Sequence, residues 1–368
     1  MKFTVTKAAV VNALQHLTGV VSTRTTLPIL SNIHLEATSA DSGTGIFLTA
    51  TDLDLFLRVR VPANVTEVGA STLPARKLFS ILKEATAENI VVSCNDKHAA
   101  AISFGGSAYK INGLASEDFP QWPAQTEVKA ELVMPQAELA KVLRHTIFAA
   151  STDETRYVLN GVFLNVIKGK ISAVGTDGRR LALIEAGGEF KSADSETILP
   201  SNAVSKLVNL LGDESDLKLI IGTNTLEAHI GDVKLSTKLI EGTYPNFRQV
   251  IPTECKETVE LGRSEFIAAL RRASLMASAK SESVKLSFGK NELVISANTP
   301  ELGESKETLS IKYAGKEINI GFNPKYLLDA MSVLKDENVV IQLVDDLSPG
   351  VFKADGTFTY VVMPLRLN

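Results

Sequence analysis

Asp52 and Asp54, two residues apart, could in principle pair as general acid and general base. They sit beside an alternating apolar stretch, which favours turn or surface roles for both. The five histidines, His16, His34, His98, His145 and His229, are scattered, and no H-x-x-x-H pair sets two imidazoles on one helix face. Cys94 and Cys255 stand alone, without C-x-x-C spacing. No G-x-G-x-x-G, phosphate-binding P-loop or G-x-S-x-G element occurs. No constellation here does chemistry. The chain reads as a binder or scaffold, with no metal and no cofactor expected.

The elements that would position a binding site come three times. Leu78, Ile81, Leu82 and Ala85 lie at i, i+3, i+4 and i+7; Val204, Leu207, Val208 and Leu211 repeat the spacing, and so do Leu327, Ala330, Met331 and Leu334. The steps of 126 and 123 residues are too long for a solenoid repeat and suit three domains of ordinary size. Each copy opens with a strand that leads into a helix. These are Phe3-Thr4-Val5 before Val10, Ala13, Leu14 and Leu17; Leu132-Val133-Met134 before Leu139, Val142 and Leu143; and Val259-Glu260-Leu261 before Phe266, Ala269, Leu270 and Ala273. A middle hairpin recurs too, with Phe47 to Asp52 matching Ile171 to Asp177. The alternation from Asp54 to Val61 predicts a strand with one buried face. Second helices follow Leu73-Pro74, Leu199-Pro200 and Phe322-Asn323-Pro324, where a missing proline N–H costs nothing.

Proline-rich joints at Phe119–Pro123 and at Tyr244 to Pro252 end the first two copies. The expected fold class is α+β, with three repeated domains, 1–125, 126–252 and 253–368, each two helices packed on antiparallel sheets. Hydrophobic content of 45%, charged content of 22% and a net charge of −4 fit a globular protein and argue against binding nucleic acid by bulk positive charge. Two cysteines, no signal-like N-terminus and no long apolar run lead to the expectation of a soluble cytoplasmic protein without membrane contact.

Domain size sets a geometric test. A domain of this length is roughly 35 Å wide, so three in a ring leave a hole of about 5 Å and six leave about 35 Å. A DNA duplex, roughly 20 Å across by its groove depths, fits only the six-domain ring. Two chains joined head to tail would supply it.

Motifs along the whole chain resemble the bacterial DNA sliding clamps, the beta processivity subunits of DNA polymerase III. They include Met1-Lys2-Phe3-Thr4-Val5, Thr26-Leu27-Pro28-Ile29-Leu30, Thr51-Asp52-Leu53, Pro74-Ala75-Arg76-Lys77 and Arg156-Tyr157. Further on stand Leu159-Asn160-Gly161, Thr176-Asp177-Gly178, Arg180-Leu181, Ser236-Thr237-Lys238-Leu239 and the C-terminal Tyr360 to Leu367. The resemblance implies a homodimeric, non-catalytic ring of six clamp domains around duplex DNA, with helices lining the hole. It also implies replicative polymerase, clamp loader and repair proteins as partners, docked through short linear motifs.

The resemblance further implies three sites. A peptide cleft would be walled by Leu159, Thr176, Gly178, Arg179, Arg180, Leu181, Pro245 and Val250, and completed by Asn323, Tyr326, Leu347, Val361, Val362, Met363, Pro364, Leu365 and Arg366. Gln249 stands where relatives often carry a basic residue, and Lys280-Ser281 where an aromatic can cap the cleft. DNA would meet Arg24, Arg76, Lys77, Arg144, Tyr157, Lys206 and Arg271, with Ser201-Asn202 and Asp153 in place of more favourable residues. The dimer would join Tyr109 and Ile111 on an edge strand to Ser274 and Leu275 of the partner. A triplicated ligand-binding protein or enzyme is the rival from another class. A specialised clamp paralogue with altered partner or inhibitor binding is the rival within the family.

Overall fold

Leu55, Leu57, Val59 and Val61 are all buried, as the alternation predicts, but the strand that carries them runs on to Glu67. The computed structural model describes residues 1–22, 25–39, 44–124, 127–186, 192–212, 215–277, 283–300, 303–354 and 356–367. The chain divides into two compact units: Met1–Gln136 with Asn209–Leu239, and Ala137–Val208 with Ile240–Asn368.

Unit 1 is built on a twelve-stranded antiparallel sheet. Its main path runs Ser107–Asn112, Ala99–Phe104, Asn89–Cys94, Lys2–Thr6, Leu55–Glu67, Val233–Lys238, Thr225–Ile230, Asp216–Gly222 and Val128–Pro135. Leu55–Glu67 also pairs with Gly45–Thr51, which pairs with Asn32–Thr38, which in turn pairs with Gly69–Pro74. Thirteen residues let this one strand hold Val233–Lys238 with its first half and Lys2–Thr6 with its last. Two helices pack here. Helix α1 (Lys7–Thr18) buries Val10, Ala13, Leu14 and Leu17; α2 (Ala75–Lys83) buries Leu78 and Leu82. Each such leucine adds about 1.5–3 kcal/mol of transfer free energy.

Unit 2 has an eight-stranded sheet in the order Ser195–Pro200, Gly161–Ile167, Lys170–Thr176, Arg180–Glu185, Phe358–Val362, Gly350–Ala354, Asn338–Leu343 and Glu257–Gly262. A four-stranded sheet runs Gly303–Ser310, Glu292–Thr299, Val284–Gly289 and Ile318–Phe322. The helices are α3 (Gln136–Ile147), α4 (Ser201–Leu210), α5 (Arg263–Ser274) and α6 (Pro324–Val333). Every apolar position predicted for α5 and α6 is buried, and Pro324 occupies the first turn of α6 under the cap of Asn323. Pro74 and Pro200 instead end strands, one residue before their helices.

Sequence copies and compact units do not coincide. The middle copy places Val128–Pro135 and its strands from Asp216 to Lys238 in unit 1, and α3, α4 and four other strands in unit 2. The reason lies at the seams. Leu55–Val59 pairs with Val233–Thr237, and Arg180–Ile184 with Phe358–Val362, so backbone ladders run from each copy into the next.

Candidate docking cleft and DNA-facing helices

The cleft predicted from sequence grows out of one turn, Thr176 to Arg180. The Asp177 carboxylate Oδ1 accepts from the backbone N–H of Arg179 (2.8 Å) and Arg180 (3.0 Å), a fold-back typical of aspartate. Thr176 Oγ1 accepts from Gly178 N (3.1 Å) and donates to the Arg180 carbonyl (2.6 Å). Gly178 has φ +82°, the left-handed region that favours glycine, and a Cβ there would lie 2.7 Å from Arg156 Nη1, so a larger residue would have to displace that guanidinium. That same Nη1 donates to the Asp177 carbonyl at 2.5 Å, tying the turn to the 3-10 segment Glu154–Leu159.

Arg180 holds the site together. Nε reaches Asp177 Oδ2 at 3.0 Å and Nη1 reaches Asp329 Oδ2 at 2.7 Å, while the guanidinium lies 4.4 Å over the Tyr326 ring and 5.7 Å over Phe148. Burial works against its charge, but the Asp329 hydrogen bond, with Tyr360, Asp177 and the Asp329 charge, keeps its pKa above the usual value. Tyr360, fully buried, donates to the Tyr326 carbonyl at 2.9 Å, and burial raises its phenol pKa. Beside these groups opens a pocket of about 620 Å³ lined by Phe148, Asp153, Arg156, Arg179, Lys325 and Asp329, among others.

Behind the turn lies the apolar floor. Leu181, Val361, Val351, Val174, Phe163, Ile198, Ile240 and Tyr244 form one buried cluster, with Leu159 and Phe247 against its side. Phe163 and Tyr244 stack at 4.9 Å, and the Tyr244 hydroxyl, its pKa raised by burial, donates to the Val174 carbonyl. The C-terminal tail crosses this cluster. Val362 pairs with Arg180, Met363 N donates to the Arg179 carbonyl (2.9 Å) and Leu365 N to the Gly321 carbonyl (2.8 Å). A Cβ on Gly321 would meet Leu365 O at 2.7 Å, so glycine lets the tail approach. Met363 and Leu365 stay 44% and 37% exposed, apolar side chains open to a ligand.

The structure therefore brings together Leu159, Thr176, Gly178, Arg179, Arg180, Leu181, Tyr326, Val361, Val362, Met363 and Leu365. Pro245 follows Tyr244, and Val250 ends the exposed short helix Phe247–Val250. Asn323 caps α6, accepting from Lys325 N at 2.9 Å. Pro364 and Arg366 lie on the tail, whereas Leu347 stands 74% exposed in a turn held by Asp345. Sequence reasoning missed Arg156, Asp177, Asp329, Phe148 and Tyr360. Asp329, three residues after Tyr326 on α6, shares its face and was the available signal.

The expected DNA contacts are spread over the helices. Arg76 and Lys77 are exposed in the first turn of α2, Arg144 in the last turn of α3 and Arg271 in the last turn of α5; Lys206 on α4 is half-buried. Arg144 Nη2 leans toward the Val208 carbonyl at 3.4 Å. Tyr157 is 57% exposed. Asp153 caps the start of the 3-10 segment that carries Tyr157, and hydrogen bonds from Thr155 hold its carboxyl below the usual range. Arg24, Lys280 and Ser281 lie outside the described residues. Of the expected dimer residues, Tyr109 is exposed and stacks on Phe104, and Ile111 is half-buried on the same outermost strand. Ser274 ends α5 and Leu275 follows, 76% exposed. Asp52 and Asp54 prove to be turn residues: Asp52 accepts from the N–H of Asp54 and Leu55, and Asp54 pairs with Lys238.

Family models of the DNA polymerase III beta subunit match the chain in three consecutive stretches: the N-terminal domain over residues 1–123, the central domain over 133–246 and the C-terminal domain over 248–366. The beta sliding clamp of Chlamydia pneumoniae is 33% identical over 369 residues, and that of Escherichia coli (strain K12) 35% identical over 374, each with 100% of both chains covered. Among solved structures, the DNA polymerase III subunit beta from Pseudomonas aeruginosa aligns with a TM-score of 0.93 at 31% identity. The DNA polymerase sliding clamp from Bacillus subtilis aligns with 0.94 at 28%; both alignments cover 100% of each chain. With three domain matches in order and relatives matched end to end, this chain belongs to the DNA polymerase III beta subunit family, the beta sliding clamps.

Proposed function

We propose that the chain is a DNA sliding clamp whose two copies join head to tail, encircle duplex DNA and tether the replicative polymerase, clamp loader and repair proteins. It is a processivity subunit, without catalysis of its own, acting in the cytoplasm through three domains, 1–125, 126–252 and 253–368. Among the described residues no helix is long and apolar enough to cross a membrane.

The observation that carries the docking reading is the apolar floor of Leu181, Val361 and Val351 beneath a turn and tail that leave Met363 and Leu365 exposed. An extended peptide with a leucine or aromatic anchor fits such a floor, and Arg179 and Arg180 at its rim give it polar direction. Head-to-tail pairing is supported by free sheet edges: Ser107–Asn112 ends the sheet of unit 1, and Gly303–Ser310 ends the four-stranded sheet of unit 2. Arg76, Lys77, Arg144, Lys206, Arg271 and Tyr157 would contact phosphates without reading bases, as sliding requires. A net charge of −4 suits retention by ring topology rather than by affinity.

Two measurements test this reading. The loaded protein should stay on a nicked circle and leave once the circle is cut; equal retention on both forms refutes encirclement. Deleting Met363 to Asn368 should abolish binding of a leucine- or phenylalanine-anchored peptide and leave the dimer mass intact. Unchanged peptide affinity refutes the cleft.

A further inference from the structure

The turn that shapes the cleft occurs a second time, in unit 1. Thr51 Oγ1 accepts from Leu53 N (2.9 Å), as Thr176 Oγ1 accepts from Gly178 N (3.1 Å). Asp52 Oδ1 accepts from Asp54 N (3.1 Å) and Leu55 N (2.8 Å), as Asp177 Oδ1 does from Arg179 N and Arg180 N. Leu53 and Gly178 share the left-handed conformation, with φ of +81° and +82°. Lys238 N donates to the Asp54 carbonyl at 2.9 Å, as Met363 N does to the Arg179 carbonyl at 2.9 Å. Leu55 pairs with Thr237 where Arg180 pairs with Val362. A leucine is strained at this φ, so the turn persists in unit 1 against its local cost.

The same register identifies what became of the floor. Leu181 corresponds to Phe56, Val361 to Ser236 and Val351 to Glu227. His34 on Phe119, at 5.3 Å, corresponds to Phe163 on Tyr244, at 4.9 Å. Trp122 follows Phe119 by three residues, as Phe247 follows Tyr244; but where Phe247 meets Phe163 at 6.1 Å, Trp122 lies edge-on to Phe56 at 5.9 Å and donates Nε1–H to Glu227 Oε1 at 3.2 Å, with Arg58 5.0 Å over its ring. Glu227 also meets His229 at 3.1 Å, and Ser236 Oγ is buried with no hydrogen-bond partner among the described residues. At the rim, where Met363 and Arg179 stand in unit 2, the side chains of Lys238 and Asp54 close an ion pair at 2.8 Å.

We infer that the junction of the first and second copies is another peptide cleft of the same construction, kept shut by Trp122. Its indole lies against Phe56 and Glu227, the counterparts of the floor residues Leu181 and Val351, and Glu227 holds it there by a hydrogen bond that an apolar floor does not offer. The polar floor suits the closure: Glu227 Oε1 accepts the indole N–H, and an incoming leucine would take that bond away and leave the carboxylate only His229. One chain thus presents one docking site although it carries the frame for two. This inference rests on the peptide cleft proposed above.

The test is to rebuild the floor. In Trp122→Ala/Glu227→Val/Ser236→Val, titration calorimetry with a leucine- or phenylalanine-anchored peptide should give two peptides per chain, against one for the unaltered protein. In a background lacking residues 363–368, the rebuilt protein should still bind one. A stoichiometry of one in the full-length variant, with circular dichroism and melting retained, overturns the closed-cleft inference and leaves the unit 2 cleft standing. No binding to the unaltered protein sinks both. The unaltered protein gives a check that needs no variant, because Trp122 is its only tryptophan. Peptide that saturates the single site should leave Trp122 emission unshifted; a shift that survives deletion of residues 363–368 means the junction is open and overturns the inference.

Discussion

Replacing Arg180 by alanine removes two ion pairs and two ring contacts at once. With Asp177 bonded at 3.0 Å and Asp329 at 2.7 Å, the Arg180 side chain is only 9% exposed, but its partners are 18% and 30% exposed. Breaking a fully buried pair costs about 3–5 kcal/mol, most of it from the charge left behind. Water reaching the two carboxylates lowers this to about 1.5–2 kcal/mol, and loss of the stack on Tyr326 adds about 0.5–1. The total is about 2–3 kcal/mol. For a unit of roughly 200 residues, at about 2–4 °C per kcal/mol, the melting temperature should fall by about 5–10 °C. Five of the six tyrosines, Tyr157, Tyr244, Tyr313, Tyr326 and Tyr360, belong to unit 2, so near-ultraviolet tyrosine dichroism follows the right transition. Asp329→Ala alone should cost less, because Asp177 remains. The double variant should show a coupling of at least about 0.5 kcal/mol. A tyrosine transition within 1 °C of wild type for Arg180→Ala, or strictly additive variants, would refute the claim that this arginine organises the cleft.

The two turns respond oppositely to substitution. Gly178→Ala meets both the positive φ and the Arg156 guanidinium and should lower stability by about 1–3 kcal/mol in urea titration, while Leu53→Gly relieves strain and should raise it by about 0.5–1 kcal/mol. His34 is held below its ordinary value of 6.5, chiefly by burial, with Glu36 opposing and Arg58 assisting. A histidine favoured neutral in the fold adds stability above its unfolded value and loses it as pH falls below about 6.5. Unit 1, followed by Trp122 fluorescence, should therefore melt earlier at pH 5 than at pH 7.5, and His34→Phe should flatten that difference.

Periodicity carried much of the fold. The helix stripes around Leu78, Val204 and Leu327 are buried save for half-buried Ile81 and Val208, because a 3.6-residue repeat needs no distant information. The α+β class follows from the same patterns. What periodicity could not show is how the copies join, since the pairing of Phe56 with Ser236 or Leu181 with Val361 depends on register between strands far apart in the chain. For the site, Arg180, Leu181 and the tail were legible through resemblance. The carboxylates that hold Arg180 were not, because Asp329 lies 149 residues away and reads in sequence as an ordinary exposed helix position.

The seams between copies bear on what can be cut from this protein. A repeat excised at 126–252 would carry Val233–Lys238 and Arg180–Glu185 as bare sheet edges, having lost both hydrogen-bonded neighbours from the adjoining copies. Such a fragment invites edge-to-edge aggregation. The compact units fare no better as pieces of one continuous chain, because each is assembled from two separate stretches. The repeat visible in the sequence is thus a unit of ancestry, and it no longer marks where the molecule can be divided.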